Sequence, residues 1–323
     1  MKINNISLAK YKSINSHSVK SFLSKYFIAI VFLLMIVAGS LLSPHFLTVT
    51  NFRNVALQLS MAVIIAIGML FTVISGGIDL SVGSIVALAG CMAAGFTQQG
   101  MSPISVIFLV SLLMAGAGAV SGLLVSKGKV APFIATLATM TIWRGAAYIY
   151  QVGQDRRIDG TEFVNLITAN IGPIPVPVII MVVVAIIAGF ILTNTSFGRS
   201  IYAVGGNREA ARLSGINIGI SLILVYVISS VLSGVSGMIL TARLALGTAL
   251  VGQGYELDAI AAVVIGGASM NGGTGTVFNT ILGALIIGFL NNILNLMGVA
   301  AYPQMIIKGV IIVASVILKR SNR

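Results

Sequence analysis

The chain has 323 residues, of which 57% are hydrophobic and 8% charged, and its mean hydropathy is +1.06. Soluble domains carry roughly a quarter charged residues, so this chain lacks the material for a water-facing surface, and its continuous apolar runs fit helical spans rather than the alternating strands of a barrel. The net charge of +12 does not indicate a nucleic-acid partner, because the charges gather at the ends of apolar runs as topology determinants do.

The expected fold is all-α, a polytopic transmembrane bundle of about ten helices. Residues 1–26, "MKINNISLAKYKSINSHSVKSFLSKY", hold Lys2, Lys10, Lys12, Lys20 and Lys25 ahead of an apolar run with no small-residue cleavage site, which reads as a cytoplasmic segment before an uncleaved first span. A span needs about 20 residues at about 1.5 Å rise each. On that measure spans fall near 27–43, 56–75, 83–99, 104–126, 132–150, 176–194, 219–241, 259–271, 276–295 and 303–318, giving a membrane domain over 27–318 and a tail at 319–323. The eighth is short and flanked by glycine, as a broken or partly re-entrant segment would be. Ten crossings leave both termini on one side. The pieces assigned to the cytoplasm hold thirteen of the nineteen basic residues, among them Lys127, Lys129, Arg199, Arg208, Arg212 and Arg323, which places both ends there by the positive-inside rule.

Three connections are longer than turns. Residues 151–177 are polar and closed by spaced prolines, predicting an ordered outer loop with one short helix. Residues 195–217 form the most polar stretch between spans, and residues 244–258, "LALGTALVGQGYELD", are expected outside. There is a faint internal repeat: "ISGGIDLSVGS" at 74–84 and "IGGASMNGGTGT" at 265–276 each join two apolar runs through a glycine pair followed by hydroxyls. Interrupted segments in corresponding places mark solute sites in repeat-built transporters.

Asp79 admits two readings. It is a cap near the membrane boundary, accepting backbone N–H groups at a helix start, or an intramembrane acid for a solute or proton, with Ser81 beside it on the translocation pathway. Arg144 and Lys308 lie within spans and must snorkel, pair or approach a polar path; for Lys308 a packed structural role is the simpler assignment. Asn291 and Asn295 share a helix face and are the remaining pathway candidates, suited to interhelical hydrogen bonds or a polar lumen.

In the cytoplasmic stretch, Gly205 and Gly206 permit a sharp turn and Asn207 can cap a short helix. Glu209 then suits its first turn, Ala210, Ala211 and Leu213 give a small apolar face, Arg212 lies one turn on, and Gly215 ends it. By residue chemistry alone this is either an amphipathic loop helix on the membrane or a lever for something docked below it. Cys91 lies in an apolar run as a small buried hydrophobe. His17 and His45 are far apart, no zinc spacing or phosphate loop appears, and no nucleophile, base and acid set is present. Neither a catalytic residue nor a metal ligand is therefore assigned, and no ATP site belongs to this chain.

Five stretches in order, "GGIDLSVGS" at 76–84, "KGKVAPFIATLATM" at 127–140, "FGRSIYAVGGNREAARLSGI" at 197–216, "GYELDAIAAVVIGG" at 254–267 and "LGALIIGFLNNILNLMGV" at 282–299, resemble the permease subunits of bacterial ATP-binding-cassette importers of the monosaccharide, ribose-type family. The resemblance runs from about Leu42 onward. It implies a multi-pass inner-membrane protein that pairs with a second copy, takes sugar from a periplasmic binding protein, and is driven by a separate cytoplasmic ATPase that holds ATP and Mg. It implies further that 205–215 is the loop engaging that ATPase, centred on Gly206, Glu209 and Ala210. Two departures, "GGTGT" at 272–276 and "ALGTALVGQ" at 245–253, bear on the solute route and outer mouth. The competing readings are an ion-coupled carrier or channel using Asp79, a permease for another monosaccharide, and a nontransporting scaffold.

Overall fold

Helix starts follow local chemistry in the computed structural model, which describes residues 29–300 and 302–310. The segments expected at 1–26 and 319–323, and the end of the last span, lie outside the described residues. Two helices, α1 (Ala29–Leu42) and α2 (Val49–Ile74), lead to α3 (Val82–Gln98), α4 (Pro103–Ser126) and α5 (Pro132–Gln151). The loop that follows α5 holds β1 (Arg156–Arg157), α6 (Glu162–Thr168), β2 (Asn170–Ile171) and β3 (Ile174–Pro175). Then come α7 (Val176–Asn194), α8 (Ser196–Gly206), α9 (Arg208–Leu213), α10 (Ile218–Leu244), β4 (Leu246–Gly247), α11 (Tyr255–Ile265), α12 (Val277–Leu296) and α13 (302–310). The side chains of Thr48, Ser102, Thr195, Asn217 and Thr276 each accept an N–H from the first turn of the helix that follows. Pro103 and Pro132 occupy first-turn positions, where a missing N–H costs nothing.

Five of the described helices, α2, α4, α7, α10 and α12, are long and apolar enough to cross a membrane. The most apolar window of α2 is 83% buried, whereas that of α7 is only 17% buried. So α2 is the central post, and α7 shows Ile186, Ile187 and Phe190 to lipid. On α10, buried Ser229, Ser230, Ser233, Gly234, Ser236 and Gly237 keep its surface thin, so α2, α3 and α4 pack directly on its backbone. Ser233 donates to the Ser229 carbonyl at 2.8 Å and Ser236 to the Met61 carbonyl at 3.1 Å, whereas the buried Ser230 hydroxyl meets no partner among the described residues. A smaller aromatic cluster of Phe32, Phe46, Phe52 and Phe289 ties α1 to α2 and α12.

The loop between α5 and α7 is ordered and contains the predicted short helix, α6. Its β1 strand pairs antiparallel with β4, Arg156 opposite Gly247 and Arg157 opposite Leu246, a pairing that local sequence patterns did not foreshadow. The eighth predicted span is shorter than drawn. It is the eleven-residue α11, beginning at Tyr255 rather than 259 and ending before Gly266.

Candidate functional site

The first interruption is the stretch 75–81 between α2 and α3. Asp79 is fully buried there. Its Oδ1 accepts the Ser81 N–H at 3.0 Å and the Ser81 hydroxyl at 2.5 Å, and its Oδ2 accepts the Ser229 hydroxyl of α10 at 2.7 Å. Ser229 lies eleven residues into α10, so the carboxylate sits about 17 Å from the start of that helix. It caps the turn as one reading expected, but deep in the bundle rather than near its rim. Ser81 is equally buried and serves the carboxylate. On the other side of the turn, Thr136 of α5 donates to the Ile78 carbonyl at 3.2 Å, and the Tyr226 hydroxyl sits where a side chain on Gly77 would have to go.

The second interruption corrects the expected outer placement of 244–258. Ala245 adopts a left-handed conformation with φ 49°, which reverses the chain after α10. After β4 the chain runs back along α3 until Gly252 touches Gly83, and α11 starts from there. Gly252 combines φ +79° with this backbone contact, so no other residue type fits. Arg144, the charge inside α5, holds the descending strand: its Nη1 donates to the Ala249 carbonyl at 2.5 Å and the Val251 carbonyl at 2.6 Å. Glu256 accepts the Gly254 N–H at 3.2 Å at the start of α11. Both helices that begin inside the bundle, α3 and α11, thus have a carboxylate at the turn before or within their first residues.

The two halves of the faint repeat meet. The Gly273 N–H donates to the Ile74 carbonyl at 2.8 Å, joining the end of α2 to the loop between α11 and α12. Gly205 wedges between them, where an added Cβ would strike the Ile74 carbonyl and lie 2.6 Å from Gly273 N. Tyr202, one turn earlier on α8, donates to the Gly275 carbonyl at 2.6 Å. Gly205 and Gly206 therefore close helix α8 rather than form the predicted turn, which is made at Asn207 with φ −157° and ψ 106°. The reason is packing: at Gly205 the helix needs a bare backbone, while a Cβ on Gly206 would meet nothing within 4 Å.

Helix α9 matches its local prediction. Asn207 Oδ1 accepts the Ala210 N–H at 3.0 Å, and Gly215 follows with φ +80°. Arg212 bonds Glu209 through two nitrogens, at 2.5 and 3.1 Å, with both side chains mostly exposed. That hydrogen bond holds the Glu209 carboxyl below the usual carboxylate range. Ala211 packs inward, while Glu209, Ala210, Arg212 and Leu213 face out. What α9 can do chemically is limited to contact: it offers a small stiff surface joined through α8 to the end of α2 and to the loop between α11 and α12.

The asparagines of α12 do not act together. Asn291 borders a cavity between α2, α10, α11 and α12, and Asn292 makes a reciprocal amide pair with Asn51 at 3.0 and 2.8 Å. Asn295 is exposed and accepts from Gln304 at 2.8 Å, and neither Asp79 nor Ser81 borders the cavity. Lys308 pairs with Asp258 at 2.9 Å, the packed role assigned to it. Among the described residues no group of three His, Cys, Asp or Glu side chains could hold a metal. Sequence reasoning missed the pairing of Arg144 with the Ala249 and Val251 carbonyls and the close fit of Gly205. The first carried a signal, a charge in mid-span beside an irregular glycine-rich stretch.

Comparisons with known proteins agree with this architecture. Residues 51–316 match the family described as branched-chain amino acid transport system / permease component. The chain is 45% identical over 295 residues to a ribose import permease protein of Haemophilus influenzae, covering 90% of this chain and 91% of that one. It is 44% identical to the ribose import permease protein of Bacillus subtilis over the same shares. A D-allose transport system permease protein of Escherichia coli is 39% identical over 292 residues, 90% of each chain. No solved structure matched. With a family match over most of its length and relatives of this identity, the chain belongs to the branched-chain amino acid transport system / permease component family.

Proposed function

We infer that this chain is the membrane permease of an ATP-binding-cassette importer that moves ribose or a related monosaccharide into the cytoplasm. The observation that carries the reading is the 45% identity to a ribose import permease along nine-tenths of the chain. The D-allose relative keeps the sugar class broad. The chain works in the bacterial inner membrane with both ends in the cytoplasm, as the charge distribution favours, and it assembles with a second copy. A separate ATPase that binds ATP and Mg docks on residues 205–215, and a periplasmic protein delivers the sugar; this chain itself does no catalysis.

In this reading the exposed surface of α9, centred on Glu209, Ala210 and Arg212, takes the push of the ATPase. Displacement of α9 moves α8, and α8 bears through Gly205 on Ile74 at the end of α2 and through Gly205 and Tyr202 on Gly273 and Gly275 in the loop between α11 and α12. ATP binding so biases a two-state bundle between outward and inward opening. An ion-coupled carrier built on Asp79 fits less well, because that carboxylate has three hydrogen bonds, no exposure, and no place on the cavity wall.

Reconstitution in liposomes tests the proposal. Permease, ATPase and sugar-binding protein together should accumulate D-ribose only with ATP, and a protonophore should leave that uptake unchanged. ATP-independent uptake that a protonophore abolishes would overturn it.

A further inference from the structure

Between α2, α10, α11 and α12 lies a cavity of about 250 Å³. Helical spacing builds two of its walls: Tyr255, Asp258, Ala259 and Ala262 recur at i, i+3, i+4 and i+7 on α11, and Ala284, Ile287, Gly288 and Asn291 repeat that spacing on α12. The small residues on both stripes leave the space. Drug-sized ligands occupy pockets of about 300–1,000 Å³, so this one is scaled to a single small solute.

The polar groups on its walls are not saturated by the protein. Asn291 Oδ1 is buried and meets no hydrogen-bond donor among the described residues. Such an acceptor is costly to leave unpaired and calls for water or a solute donor. Arg243, in the last turn of α10, forms no ion pair among the described residues, and its Nη1 lies 4.0 Å from the Met61 sulfur. Gln58 and the Tyr255 phenol add groups that both donate and accept. Asp258 is already paired with Lys308, which leaves Arg243 as the other charged side chain among the described lining residues. A mixed set of donors and acceptors beside an aromatic ring fits a compact polyol. Another cavity, bordered by Phe71, Val184, Ala188 and Val227, is almost wholly apolar and offers a hydroxyl nothing.

We propose that the cavity between α2, α10, α11 and α12 is a binding site for one neutral monosaccharide, with Asn291 accepting from a sugar hydroxyl and Arg243 donating to another. The proposal rests on the sugar-import reading above and gives it a place in the bundle.

Saturation-transfer NMR on the full-length permease in nanodiscs, with D-ribose as probe, tests it. Wild type should show transfer to ribose. Asn291→Leu should weaken binding about tenfold, the loss of one buried hydrogen bond, and Ala262→Leu, which fills the space, should abolish it. Ala188→Leu, in the apolar cavity, should leave transfer unchanged. Ribonate, the corresponding anion, should compete poorly; if it binds more tightly than ribose, the assignment to a neutral solute is wrong. Ribose transfer that survives Ala262→Leu, or is absent from wild type, overturns the site. Each variant's melting midpoint is measured alongside, and Gln58→Leu serves in place of any variant that does not fold, with the same tenfold weakening expected. ATP-driven uptake is scored separately: uptake unchanged in the cavity variants overturns the site and leaves the import reading standing, whereas no uptake by wild type overturns the import reading.

Discussion

Helix α9 and the two interrupted segments inside the bundle solve opposite problems. Helix α9 is six residues long, exposed, and satisfied by its own neighbours: a cap from Asn207 and an ion pair from Glu209 to Arg212. The interrupted segments leave the helical ladder inside the bundle, and residues distant in sequence are needed to complete the hydrogen bonds of each. At 75–81 the helper is a carboxylate, which takes N–H and O–H donors; at 249–251 it is a guanidinium, which takes carbonyls. The sign of each buried charge thus follows the backbone group that the break exposes. In this molecule a charge at depth is first a repair of irregular backbone.

That contrast separates changes that unfold the bundle from changes that only uncouple it. The largest expected effect is at Arg144. Arg144→Met strands the Ala249 and Val251 carbonyls and should cost about 3 kcal/mol or more, read as a lowered midpoint in chemical unfolding; an unchanged midpoint would break the comparison. Next comes Gly205→Ala. The added Cβ meets backbone on two sides, so a loss of about 2–3 kcal/mol is expected, while Gly206→Ala, which opens onto free space, should stay within about 1 kcal/mol. Equal losses at the two glycines would contradict the wedge. Asp79→Ala removes an acceptor from Ser81 and Ser229 and should lower the same midpoint by about 2 kcal/mol, with Ser229→Ala giving about half of that.

The local and the long-range were unequally legible in the sequence. Asn207, Glu209, Arg212 and Gly215 were readable because a cap, a first-turn acid and a terminal glycine act within a few residues of one another. Span positions were readable for the same reason, through runs of apolar residues, and α7 falls on its predicted 176–194. Segment 244–258 was misplaced because its descent depends on Arg144, about a hundred residues away, and on a backbone contact with Gly83. The glycine pair at 205–206 looked like a turn because local rules know only glycine's freedom, whereas Gly205 is there for close approach. Asn291 was singled out for its helix face, but the partners that make a cavity of it, Gln58, Arg243, Tyr255 and Asp258, come from three other helices.

The smallest expected effect sharpens the other side of the comparison. Because the Arg212 bond depresses the Glu209 pKa, the ion pair supports α9 above the ordinary glutamate pKa, and that support is lost as pH falls through the lowered value. Amide protection factors in 208–213 should fall over that acidic window while those in α2 and α10 do not change. A parallel change in all three would mean that α9 is not independent of the bundle.

The account rests most on α9 being the surface that an ATPase engages from the cytoplasm. The direct measurement is sided labelling of Ala210→Cys with an impermeant maleimide, Cys91 being buried. The label should enter in inside-out vesicles and be blocked when the ATPase is bound. Labelling from the outer face, or labelling that the bound ATPase leaves unaltered, would contradict it.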